Sequence, residues 1–80
     1  MASPQSQIMT VKVSSLIPWK TDLLPEYTVD SNTTIRKFCE AIGIEWDVEA
    51  LVFINNQIAH GNEILQQGDH ILLMVPVVGG

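Results

Sequence analysis

From Ile8 to Val13 the apolar positions Met9, Val11 and Val13 alternate with Thr10 and Lys12. A period of two predicts a strand with one face in a core and one in water. The loop "SSLIPWKTD" then leads into "LLPEYTV", where Tyr27 and Val29 are placed toward the core and Glu26 and Thr28 toward solvent. These two strands read as a hairpin with a long loop. In "DSNTTIRKFCEAIG" the period changes: Ile35, Phe38, Cys39 and Ile42 recur at i, i+3, i+4 and i+7, one face of a helix. Asn32 or Thr33 is expected to cap its start, and Gly43 to end it.

Strand character returns in "ALVFINNQIA", broken by Asn55-Asn56, a pair that tolerates the positive φ of a tight hairpin turn. The turn-rich "HGNEILQQGD" precedes a final strand, "HILLMVPV". The order β, β, α, β, β, β predicts an α+β fold: a mixed sheet of four to five strands covered on one face by a single helix. A β-grasp fits this, with the first and last strands adjacent at the centre, and the pattern alone also allows another two-layer α+β arrangement. Residues 1–7 are expected to form a flexible N-terminal segment, 8–75 the folded domain, and 76–80 a flexible tail. The expected core comprises Met9, Val11, Val13, Tyr27, Val29, Ile35, Phe38, Cys39, Ile42, Leu51, Ile71 and Leu73.

The last strand breaks the alternation, because Ile71 through Val75 are apolar at every position. One helix covers one face only. Two readings follow for Leu72 and Met74, and for Val52 within "LVFI": a central strand that is simply apolar, or an exposed patch on the uncovered face where a partner protein docks.

Charge narrows the range of partners. The 80 residues carry a net charge of −5, with four scattered basic residues, which disfavours nucleic acid as a ligand. One cysteine permits no internal disulfide, no apolar run reaches the ~18 residues of a membrane span, and "MASPQSQ" is too polar for a signal peptide. A reducing, cytoplasmic location is expected.

Few residues suggest chemistry. Cys39 lies on the apolar helix face and reads as packing. His60 and His70 have no ligand-spaced partners beyond Asp69, so no metal site is expected. Glu45, Asp47 and Glu49 read as a solvated acidic loop that could steer a basic partner. Trp19 and Trp46 flank loops as lids over the core edge or as partner contacts. No nucleophile, base or metal cluster can be assembled, so no catalytic residue is assigned.

Three pieces of "LVFINNQIAHGNEILQQGDHILLMVPVVGG" go together: the strand-turn "FINNQ", the turn "LQQGD" and the tail "VPVVGG". In these the chain resembles the ThiS/MoaD family of sulfur carrier proteins, ubiquitin-like in fold, and the upstream element order agrees from about Ile8. The resemblance implies a carrier and not an enzyme. An ATP-dependent activating enzyme would adenylate the carboxylate of Gly80, a sulfur donor such as a cysteine desulfurase or rhodanese-type protein would convert it to a thiocarboxylate, and an acceptor biosynthetic enzyme would receive the sulfur. Pro76, Val77, Val78 and Gly79 would form the tail that enters the partner. Val52, Leu72 and Met74 would dock the activating enzyme, with no cofactor held by the chain itself. The ending is slightly closer to the small subunit of molybdopterin synthase than to the thiamine thiazole carrier, and Val78 stands where many relatives have a small residue. A ubiquitin-like modifier conjugated to lysines and a β-grasp adaptor with a passive tail are the alternatives.

Overall fold

The computed structural model describes residues 8–46, 48 and 50–76. Its elements are β1 (Ile8–Ser15), β2 (Glu26–Asp30), α1 (Ile35–Ala41), β3 (Leu51–Ile54), β4 (Gln57–Ile58) and β5 (His70–Met74). The five strands form one sheet in the order β2-β1-β5-β3-β4. The β1/β5 pair is parallel and the other pairs are antiparallel, so the expected mixed, β-grasp sheet is the observed one. Met9, Val11 and Val13 of β1 alternate inward as the pattern predicts. Val11 and Val13 are buried, while Met9 is half-buried against the core.

The helix lies over the inward face through Ile35, Phe38 and Cys39, all buried, and Phe38 meets Tyr27 edge-on with ring centroids 5.4 Å apart. Its cap is Thr34, whose side chain accepts a bond from the Lys37 N–H at 3.2 Å, and not Asn32 or Thr33. Asn32 instead takes a left-handed φ of 71° in the preceding turn, and the Thr33 hydroxyl donates to the Asp30 carbonyl. Gly43, at φ 89°, follows the helix as expected, a conformation that costs a residue without a Cβ little. Asn55 and Asn56 have φ of 51° and 72°, the pairing a tight two-residue hairpin requires.

Three features differ from the pattern. Leu51 is 36% exposed and Val52 is 3% exposed, so β3 sits with the opposite parity to the one expected. Ile17, Ile44, Ala50 and Leu65, all in loops, complete the core. The last strand stops at Met74, two residues before Pro76, whose missing N–H could not extend a ladder.

The turn into β5 is held by a buried carboxylate. Asp69, 8% exposed, accepts from Asn55 Nδ2 at 2.9 Å and from the Gln66 N–H at 2.8 Å, while its own carbonyl accepts from the Lys12 N–H. Asn55 Oδ1 in turn accepts from the His70 N–H. Asp69 therefore ties the start of β5 to the β3–β4 turn through its side chain and to β1 through its backbone carbonyl. Asp69→Ala is expected to cost about 1–2 kcal/mol, because it removes the carboxylate that accepts two part-buried hydrogen bonds, from the Asn55 amide and the Gln66 N–H. Chemical denaturation measures this, and a loss below ~0.5 kcal/mol would show that the turn holds without its carboxylate.

Candidate functional site

The strand that leads to the tail is the central one. β5 is paired on one side with β1, Val13 opposite Ile71 and Ser15 opposite Leu73, and on the other with β3, Leu51 opposite Met74 and Ile54 opposite Ile71. The chain beyond Met74 therefore leaves from a strand held by two neighbours. Val75 packs at the core's edge and Pro76 is half-buried; Val77, Val78, Gly79 and Gly80 lie outside the described residues.

Registered pairs point to the same face of a sheet, which sorts the apolar residues of β3 and β5. Val52 faces inward beside Leu73, in the core with Ile35 and Cys39. It is not part of the open face, which corrects the expectation that it joins Leu72 and Met74 there. Those two do lie on the open face, half-buried, and their partners across the ladder are Phe53 and Leu51. The apolar patch is thus Leu51, Phe53, Leu72 and Met74, with Ile58 opposite Phe53 at its border. The rest of the open face is polar: Thr10, Lys12 and Ser14 on β1, and His70, whose Nε2 is 2.8 Å from Ser14 Oγ. Phe53 and Leu51 escaped the sequence reading because four consecutive apolar residues carry no parity signal.

The remaining singled-out side chains fall into structural roles. Cys39 is fully buried on the inner helix face, and burial, assisted by the neighbouring Glu40 carboxylate, pushes its thiol from 9.0 up to about 12. A thiol held protonated is a poor nucleophile. Cys39 is expected to resist alkylation in the native state. Cys39→Ala should cost on the order of 1 kcal/mol for a small cavity, with function kept. A raised folded pKa means that the native state holds the proton more tightly than the unfolded one, so this contribution is complete below about pH 9 and is lost as pH rises toward 12. Rapid labelling without unfolding would contradict the placement.

His60 Nδ1 lies 3.2 Å from Glu63 Oε2. Desolvation raises the Glu63 carboxyl, but bonds from the His60 and Gly61 N–H groups bring the net shift downward. This closes the turn that leads to Leu65 and does not bring His60 to His70. Among the described residues no three of His, Cys, Asp and Glu gather as metal ligands. Trp46 packs as a lid against the core and over Gly61, where an added Cβ would come within 3.3 Å of the indole. Trp19 is 59% exposed and open to a partner. Asp47 and Glu49 of the acidic run lie outside the described residues. No helix among the described residues is long and apolar enough to cross a membrane.

Comparison with protein families finds a match to the ThiS family over residues 21–80, three quarters of the chain. Comparison with curated proteins and with solved structures gives no match.

Proposed function

The chain belongs to the ThiS family of small sulfur carriers, and from that premise we propose that it carries sulfur as a thiocarboxylate on Gly80. The observation that supports this most is that the family match extends through Gly79 and Gly80, five and six residues after the end of the doubly paired strand β5.

A carboxylate is a poor electrophile, so the chemistry begins with activation. The Gly80 carboxylate attacks the α-phosphorus of ATP in an activating enzyme, giving an acyl-adenylate and pyrophosphate. A persulfide sulfur from a donor protein attacks the acyl carbon and AMP leaves. A thiol then attacks the donor's sulfur in the resulting acyl disulfide, releasing the thiocarboxylate and leaving a disulfide behind. Each step needs a site that excludes water from the activated acyl group. The tail must therefore enter such a site, and glycines suit a narrow passage because they lack a Cβ.

The chain itself acts as substrate and subunit. Leu72 and Met74, with Phe53 and Leu51 beside them, are the apolar patch that docks the activating enzyme while Pro76 to Gly80 reach inward. The acidic net charge suits a basic partner surface. The "VPVVGG" ending favours delivery to molybdopterin synthesis over thiamine thiazole synthesis, in the cytoplasm. The test is the intact mass of the chain after incubation with ATP, an activating enzyme and a persulfide donor. A gain equal to sulfur replacing oxygen supports the proposal, and no gain with several competent enzymes defeats it.

A further inference from the structure

Eight large apolar side chains are exposed among the described residues, and five of them, Leu16, Trp19, Leu24, Val48 and Leu51, belong to segments at one end of the sheet. It is the end from which the tail departs. β1 and β5 run parallel and finish there, with the Leu16 N–H bonded to the Leu73 carbonyl at 2.8 Å. Leu24 adjoins Pro25, whose carbonyl accepts from the Val13 N–H, and Leu51 stands opposite Met74, with Val48 three residues before it. Trp19 is displayed from a braced loop. Ile17 anchors that loop in the core, the Lys20 N–H returns to the Ile17 carbonyl, and Lys20 Nζ donates to the Gly43 carbonyl at 2.7 Å.

We propose that this apolar rim, with Trp19 as its anchor, seats against an apolar ring around the entrance of the activating enzyme's enclosed site and seals it while the tail is inside. The inference rests on the reading that Gly80 is adenylated. Four residues, Val77 to Gly80, follow Pro76, and an extended chain spans about 3.3–3.6 Å per residue. The reacting carbon is therefore within roughly 14 Å of Pro76, and the wall of the site must come down onto this end of the domain. An acyl-adenylate survives only where water is kept out. A ring of apolar side chains around the tail keeps it out, and a large aromatic ring held on a tied-down loop is the residue type that anchors such contacts at low entropic cost. Leu51 joins the rim to the open-face patch, so the two surfaces are continuous.

The test uses the full chain and an activating enzyme that charges it. Trp19→Ala and Leu16→Ser, both at exposed positions, are compared with Ile8→Ser, an exposed residue at the opposite end of β1. The rim variants are expected to raise the KM for the chain about tenfold. They are also expected to increase the AMP released per thiocarboxylate formed, because a leaking site hydrolyses its adenylate. Ile8→Ser should change neither. Unchanged KM and unchanged AMP ratio in both rim variants would overturn the seal and leave the carrier proposal standing, as would an equal effect from Ile8→Ser. A native chain that no activating enzyme charges would instead overturn the carrier reading itself.

Discussion

One alanine added after Gly80, or Gly79→Val, is expected to reduce thiocarboxylate formation by about 100-fold or more while the domain stays folded. The size follows from geometry: moving a reacting group by about 1 Å in an enclosed site can by itself cost ~100-fold, and an added residue displaces the carboxylate by about 3.3–3.6 Å. Gly79→Val acts differently. It places a branched Cβ in the passage and penalises any positive φ that the bound tail adopts. Among the described residues, the last to pack against the core is Val75, four residues before Gly79. Thermal unfolding should therefore be unaltered, and the readout is the intact mass, which rises in the native chain and in neither variant. Equal charging of the extended chain would rule out a buried reactive terminus and favour a passive tail.

Met74→Asp is expected to weaken binding to the activating enzyme by about 2 kcal/mol or more, roughly thirtyfold in Kd, as for a desolvated anchor. Met74 is half-buried on the open face opposite Leu51, so its replacement introduces a carboxylate into the apolar patch proposed to dock the enzyme, without entering the core. Two comparisons make the result interpretable. Thr10→Asp, on the polar half of the same face, should leave affinity nearly unchanged. Val52→Asp should unfold the domain, because that side chain is packed with Leu73 and Ile35 and a lone buried carboxylate has no partner there. Titration calorimetry beside circular dichroism separates the three. An affinity unchanged by Met74→Asp in a folded chain would remove the open face from the interface.

The contrast between Val52 and Met74 shows where sequence reading stops. Element order, the helix face Ile35–Phe38–Cys39 and the inward positions of β1 and β2 were legible because polar residues interrupt the apolar ones and so set the phase. In "LVFI" and "ILLMV" no polar residue sets it. Which side chains face inward is decided by the ladder that pairs Val52 with Leu73, a contact between distant segments. The helix cap was missed by one residue for a local reason: "SNTT" holds four residues able to cap, and the turn with Asn32 in a left-handed conformation selects Thr34. The proposed role of the tail rests on "VPVVGG", which lies largely outside the described residues; the rim was not legible, since Leu16, Trp19 and Leu24 come from one stretch of chain and Val48 and Leu51 from another, and only the fold brings the two to one end.

The central place of β5 also bears on how the molecule comes into being. Before His70–Met74 are in place, β1–β2 and β3–β4 are two hairpins that share no strand, and an isolated hairpin is marginally stable in water. β5 closes the gap by pairing with both, and β1 lies more than fifty residues away in sequence, as Lys12 opposite His70 shows. Such long-range pairing forms slowly compared with local structure. The event that completes the sheet is thus the same one that brings Leu72 and Met74 beside Phe53 and Leu51 and orders the base of the tail. An unfinished or unfolded chain lacks this patch, so under the proposed activation ATP would be spent only on molecules that have already reached their native state.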